Sequence, residues 1–245
     1  MRRVMALVRQ DVLTRGSYRV QLLSSFVSLF GLLLPVYFVT EALDPVMEAS
    51  IASQGGHFFT FTLVGMIVMR YCYSLVNSLP GAFSSAIRTG TLEVMFATPT
   101  PLPLLVAGMV GFPLLWTTVE ATVLLGAGGV LGVQVIPGRA LLGLAILALI
   151  LLAYLSFAIV GVALVLAFRT TGPLLGAVLM ATNLLGGVYY PTEVIPSWIQ
   201  KVSAVLPMTY GLRALRQAVL EGLPVPELLP DIAILCGFLI VLLPL

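Results

Sequence analysis

Long apolar runs, separated by short polar stretches, make up most of this chain after residue 19. Several runs reach or exceed the roughly 20 residues that a helix needs to cross the hydrocarbon core of a bilayer. Because lipid offers no water to backbone N–H and C=O groups, such runs must be helical. The pattern therefore predicts an all-α polytopic membrane protein with a single transmembrane domain over residues 1–245. Its six predicted spans are 20–40, 58–87, 104–133, 140–168, 172–190 and 228–245.

Composition supports a membrane protein and excludes several other classes of protein and of site. Hydrophobic residues make up 60% of the chain and charged residues 9%, with a mean hydropathy of +1.11, whereas a soluble domain carries roughly 25% charged residues. A net charge of +2 from scattered bases argues against nucleic-acid binding. Cys72 and Cys236 lie in apolar runs and His57 is the only histidine, so we expect neither a disulfide framework nor a metal site. Lys201 is the only lysine, which excludes a phosphate-binding GxxxxGK[ST] loop.

The basic residues predict how the chain is oriented. Seven arginines fall on the side of the N-terminus: Arg2, Arg3, Arg9, Arg15, Arg19, Arg88 and Arg169. Four basic residues fall on the other side: Arg139, Lys201, Arg213 and Arg216. Since cytoplasmic loops are enriched in Lys and Arg, we expect a multi-pass protein of the cell membrane with a cytoplasmic N-terminus. The sixth run has 14 residues after Asp231, about 21 Å of helix, so we expect the natural chain to continue.

Residues 1–19 precede the first span and have an amphipathic helical pattern. Apolar residues share one face, opposite Arg2, Arg3 and Arg9. The pattern predicts a helix in the cytoplasmic membrane interface, with its arginines near anionic head groups. The alternative is a basic leader that only sets the topology.

The loop at residues 88–101 joins the second and third spans. Thr89 or Thr91 could cap a short helix that carries Leu92, Met95 and Phe96, and Pro99 would end it. Such a helix suits the groove of a partner protein. It could equally be a connector that stays in the lipid interface.

Residues 191–227 are too polar and too interrupted by proline to cross the membrane. We expect interfacial or re-entrant helices there, on the outer side of the membrane. Tyr189, Tyr190 and Trp198 could simply be aromatic anchors at that interface.

Two opposite charges cannot be moved out of the predicted spans. Every 20-residue window between His57 and Arg88 contains Arg70, and the corresponding windows of the third span contain Glu120. A charge at mid-bilayer is costly, by about 2.5–3.5 kcal/mol on insertion scales. The two residues could pair directly, face a water-filled path separately, or find other partners.

Three groups of residues, in this order, resemble the type-2 ATP-binding-cassette (ABC) permease family. The first is Gly90-Thr91-Leu92-Glu93 followed by Ala97-Thr98-Pro99. The second is Gly187-Val188-Tyr189-Tyr190-Pro191 with Ile195-Pro196. The third is Leu206-Pro207-Met208-Thr209-Tyr210 leading to Arg213. Each motif alone is weak, but their order and spacing cover nearly the whole chain.

The resemblance implies a permease half that dimerises, as a homodimer through spans one and five, and binds two separate ABC ATP-binding subunits. ATP and Mg would then be bound by those partners, and this chain would have no catalytic or metal-binding residues. The coupling residues implied are Gly90, Thr91, Leu92, Glu93, Met95, Phe96 and Pro99. The outer re-entrant or gate residues implied are Tyr189, Tyr190, Pro191, Pro196, Trp198, Pro207 and Tyr210.

The function expected is that of an ATP-driven exporter subunit that moves a lipid-like, drug-like or lipid-linked glycan substrate outward. The first alternative is a secondary transporter that uses the intramembrane charges of Arg70 and Glu120. The second is an intramembrane hydrolase, which needs a nucleophile beside a base. The candidate nucleophiles Ser84 and Ser85 lie near the predicted cytoplasmic side, whereas His57 lies in or beside an outer loop. The serines are therefore far from this base, which argues against a hydrolase.

Overall fold

The computed structural model of the chain describes residues 19–51, 57–97, 101–133, 136–168 and 172–242. Within these ranges the chain forms nine α-helices and no strand. The helices are α1 (Arg19–Ile51), α2 (Phe58–Arg88), α3 (Leu92–Ala97), α4 (Leu102–Val130), α5 (Ala140–Phe168), α6 (Gly172–Leu185), α7 (Ser197–Ser203), α8 (Pro207–Arg216) and α9 (Val225–Leu242). The all-helical prediction is confirmed. The helix predicted over residues 1–19 lies, except for its last residue, outside the described ranges.

Five of the described helices, α1, α2, α4, α5 and α9, are long and apolar enough to cross a membrane. The multi-pass membrane character predicted from composition is thereby confirmed. The helix in the fifth predicted span, α6, has 14 residues, about 21 Å, which is shorter than a hydrocarbon core of roughly 30 Å. It ends at Leu185 because Gly186 and Gly187 follow, and Gly187 has a φ of +75° that only glycine adopts readily. A sixth crossing segment remains a prediction.

The helix α2 lies at the centre of the bundle. Within its most apolar window 83% of the residues are buried, against 17–39% for the other four long helices. Lipid tails are as apolar as leucine, so close contact rather than removal from water holds such helices together. Glycines permit that contact: a Cβ at Gly161 of α5 would lie 2.6 Å from Pro80 Cγ of α2, and one at Gly128 of α4 would lie 2.4 Å from Leu63.

The bundle has two ends, which we call the α3 end and the α8 end after the short helices they carry. At the α8 end, Asp44 of α1 accepts a hydrogen bond of 2.6 Å from the backbone N–H of Phe58. A carboxylate there complements the positive end of the α2 dipole. The turn between α4 and α5 joins the same end, because Arg139 donates a 3.0 Å hydrogen bond to the carbonyl of Gly222.

Candidate functional site

At the α3 end, a tightly bonded turn connects α2 to α3. The Thr89 hydroxyl donates to Ser85 O at 2.9 Å, and Gly90 reverses the chain with a φ of +68°. The N–H of Thr91 then donates to Ala86 O at 3.0 Å, and Met95 N–H donates to Thr91 O at 3.0 Å. These bonds fix the direction in which α3 leaves α2. Pro99, predicted to end this helix, lies outside the described residues.

The exposed face of α3 differs from the one expected from the sequence. Leu92 is half-buried and packs onto the apolar core of the bundle, so only part of its side chain is exposed. Val94, which the sequence analysis did not name, is 66% exposed instead. Phe96 contacts Phe83, with ring centroids 6.4 Å apart, yet stays 56% exposed. Together with the exposed Glu93, these two side chains give α3 an apolar surface beside one carboxylate.

Inside the bundle, Arg70 and Glu120 form a direct ion pair. Arg70 Nη2 and Nε lie 2.8 and 3.1 Å from Glu120 Oε2. The second carboxylate oxygen accepts a 2.8 Å hydrogen bond from Trp116 Nε1, one helical turn earlier on α4. Of the alternatives left open by the sequence, the structure therefore contains the direct pair. Because both oxygens are bonded, the carboxylate keeps several of the interactions that it loses by leaving water.

At the α8 end, Arg216 is fully enclosed by protein, with 2% of its surface exposed. Its guanidinium donates from Nε and Nη2 to Phe61 O, at 3.1 and 2.8 Å. It also donates from Nη1 to Gly187 O at 2.8 Å and from Nη2 to Val188 O at 3.0 Å. The guanidinium lies over the Phe61 ring, 3.3 Å from its centroid. Burial lowers the pKa of Arg216, but the ordinary value is so high that arginine stays charged in proteins.

The role of Arg216 was not predicted from the sequence, where this residue was counted only as one of the basic residues on the outer side. A signal was present in the glycine pair that ends α6. A helix that stops within a membrane protein leaves carbonyls without donors, and an arginine in a nearby short helix is a group that can supply several. Which carbonyls it reaches cannot be read from the sequence, because Phe61 is 155 residues away.

A cavity of about 360 Å³ lies between α1, the beginning of α2 and the Tyr189–Tyr190 pair. Its lining is almost entirely apolar and includes Val36, Val39, Leu43, Met47 and Phe58. Thr62 also lines it, and its buried hydroxyl has no hydrogen-bond partner within the described part of the chain. The site can therefore accommodate a largely apolar body, and the hydroxyl of Thr62 is left without a partner at its wall.

The remaining residues predicted for the outer gate lie in the segment between α6 and α9. Pro191 is buried, Pro196 immediately precedes α7, and Pro207 begins α8, where a missing N–H costs nothing. Trp198 is 69% exposed, as an interfacial anchor would be. The tyrosines close helix ends: Tyr190 Oη donates to Leu184 O, and Tyr210 Oη donates to Ala204 O at 3.1 Å.

Two further contacts join α8 to its neighbours and keep it against the bundle. Arg213 lies 3.5 Å from Asp231 of α9, and Thr209 Oγ1 donates to Ser203 O of α7 at 2.8 Å. Over the described ranges, no group of three or more His, Cys, Asp or Glu side chains could hold a metal ion.

The described residues form an all-helical, multi-pass membrane protein with a short exposed helix at one end and a folded segment of short helices at the other. The sequence model of the ABC-2 type transporter family matches residues 2–220. The chain belongs to this family, and it is the transmembrane permease subunit of an ABC transporter. Members of the family generally work with ABC ATP-binding subunits. No curated protein matches the sequence.

The ion pair can be tested by exchanging its charges. Arg70→Glu or Glu120→Arg should each cost up to about 3–5 kcal/mol, because each places two like charges side by side inside the bundle. The double variant should recover part of that loss, measured as the yield and apparent melting temperature of the purified protein. A double variant no better than the worse single variant would contradict a direct pair.

Proposed function

We propose that this permease subunit belongs to an ATP-driven exporter that moves a lipid-like, drug-like or lipid-linked glycan substrate outward. The α3 end would then be cytoplasmic, in agreement with the distribution of arginines. The α8 end would face outward, with the segment between α6 and α9 as its re-entrant or gating part. The observation that carries the proposal is the exposed apolar surface of α3, held at a fixed direction by the bonds of the preceding turn.

The partner proposed for α3 is an ABC ATP-binding subunit, which would bind ATP and Mg. Val94 and Phe96 supply apolar anchors, and Glu93 can meet a basic side chain on the partner. Apolar and aromatic anchors usually dominate such contacts, with charged rims adding specificity. The contact of Phe96 with Phe83 links this surface to α2, so force on α3 would reach the centre of the bundle.

The substrate class is argued from the cavity between α1, α2 and the Tyr189–Tyr190 pair. Its lining is apolar apart from threonine and tyrosine hydroxyls, and no charged side chain contributes to it. Such a lining favours a largely apolar substrate, or the lipid part of a lipid-linked one.

The secondary-transport alternative gains no support from the geometry of the charged pair. A proton or ion relay needs ionisable groups that can exchange partners along a path. Both oxygens of Glu120 are occupied, one by Arg70 and one by Trp116.

Replacing the exposed apolar residues of α3 tests the docking surface. The double variant Val94→Ser with Phe96→Ser should weaken binding of the ATP-binding subunit more than tenfold, because truncated anchor residues typically cost about 2 kcal/mol each. Co-purification of the two subunits from detergent-solubilised membranes measures the effect.

The matched control is Val205→Ser, a valine of similar exposure that lies between α7 and α8 at the other end of the bundle. It should leave assembly unchanged. If the double variant of α3 assembled normally and kept transport-coupled ATP hydrolysis, α3 would not be the docking site.

We also propose that two copies of this chain pair through α1 and α6, as the family resemblance implies. Both helices carry exposed apolar side chains, among them Phe38 and Met180.

Cross-linking tests this dimer. In a Cys236→Ser background, Met180→Cys should give a product of twice the chain mass with a short bis-maleimide. Ile240→Cys on α9, which is at least as exposed, should not. A complex with one permease copy by native mass measurement would contradict the dimer.

A further inference from the structure

The backbone that follows α6 leaves the helical path inside the bundle. Residues 186–190 are bends, and Gly187 adopts a left-handed conformation. With 14 residues, α6 is about 21 Å long, roughly 9 Å less than the thickness of a hydrocarbon core. Residues 186–188 are buried, and buried non-helical backbone in a membrane protein persists only where protein groups satisfy its carbonyls.

Arg216 supplies hydrogen-bond donors to the non-helical backbone that follows α6. Two of its N–H groups bind the carbonyls of Gly187 and Val188, while two others bind the carbonyl of Phe61 on α2. Four of the five guanidinium donors are thus used on backbone oxygens. Arg216 comes from α8, so a short helix outside the long spans holds together two segments that are distant in sequence.

The carbonyls that Arg216 binds lie next to residues of the apolar cavity. Val188 immediately precedes Tyr189 and Tyr190, and Phe61 immediately precedes Thr62. One side chain therefore joins two of the three walls of the cavity, and α1 forms the third.

We propose that Arg216 is a positioning residue of this cavity: by binding Val188 O and Phe61 O together, it sets the distance between Tyr189 and Thr62. If that bridge loosens, the Tyr189–Tyr190 segment moves away from α2 and the cavity opens at the α8 end. Any consequence of this movement for transport rests on the proposed export function. The role of Arg216 in holding the Tyr189–Tyr190 segment against α2 does not depend on that function.

Gly65 offers a way to strain the bridge without changing Arg216. A Cβ at Gly65 would lie 2.3 Å from Val188 O and 2.7 Å from Arg216 Nη2, so Gly65→Ala must push both groups away from α2. Gly81 is the matched control, since it lies on the same helix and a Cβ there meets nothing within 4 Å.

The reporter is a thiol placed in the cavity by Thr62→Cys, in a Cys236→Ser background. The native Cys72 lies on the same helix and is fully buried, so it reports any general loss of packing. The rate of reaction with N-ethylmaleimide is measured for each thiol, by mass spectrometry, on the complete complex in lipid nanodiscs.

Adding Gly65→Ala should raise the reaction rate of the thiol introduced by Thr62→Cys at least about tenfold, the effect expected when a charged hydrogen bond is lost from a local opening equilibrium. Adding Gly81→Ala should leave the rate unchanged, and Cys72 should stay unreacted in both. Arg216→Lys should also raise the rate, because a lysine has three donors and no planar fork.

Equal rates in the Gly65→Ala and Gly81→Ala backgrounds would overturn the proposal. So would faster reaction of Cys72 together with the introduced thiol, since that would mean general destabilisation rather than a change in position. Because neither measurement involves transport, the result distinguishes failure of this inference from failure of the proposed export function.

Discussion

Backbone carbonyls buried in a membrane protein need hydrogen-bond donors, and this need determines how the α8 end of the bundle is built. The helix α6 stops at a glycine pair, which leaves carbonyls of residues 187 and 188 without helical partners. Arg216 binds both and reaches α2 as well. Consequently α8 must lie against the bundle, and the Arg213–Asp231 contact holds it to α9. The apolar cavity beside Tyr189 owes its shape to the same contacts.

The half-buried Arg70 and the buried Arg216 are stabilised in different ways. Arg70 has a carboxylate partner on the neighbouring span, whose other oxygen is bonded by Trp116. Arg216 instead lies among backbone carbonyls, those just beyond the end of α6 and that of Phe61 on α2, and over the Phe61 ring. A carboxylate pair neutralises charge locally, whereas a cation among carbonyls binds several backbone segments at once. The Arg70–Glu120 pair therefore joins two helices side by side, whereas Arg216 fixes the path of the chain where α6 ends.

Local patterns predicted the long helices well and long-range contacts poorly. The span predicted at 140–168 matches α5 because Arg139 and Arg169 flank an uninterrupted apolar run. Within the span predicted at 172–190 the helix ends at Leu185, since hydropathy does not register that Gly186 and Gly187 end a helix. Arg70 and Glu120 could be placed within their spans from window length alone, but their direct contact could not. The half-buried position of Leu92 was also not predicted, because the helical wheel of a six-residue helix does not show which side faces its own bundle.

The most direct measurement is a cryo-electron microscopy map of the permease with its ATP-binding subunits in lipid nanodiscs, at a resolution that resolves side chains. We expect the guanidinium of Arg216 within hydrogen-bond distance of the Phe61, Gly187 and Val188 carbonyls. We also expect α3 in contact with an ATP-binding subunit at the opposite end of the bundle. An Arg216 side chain directed to water or lipid, with a continuous α6 helix through residues 186–190, would contradict the role assigned to Arg216.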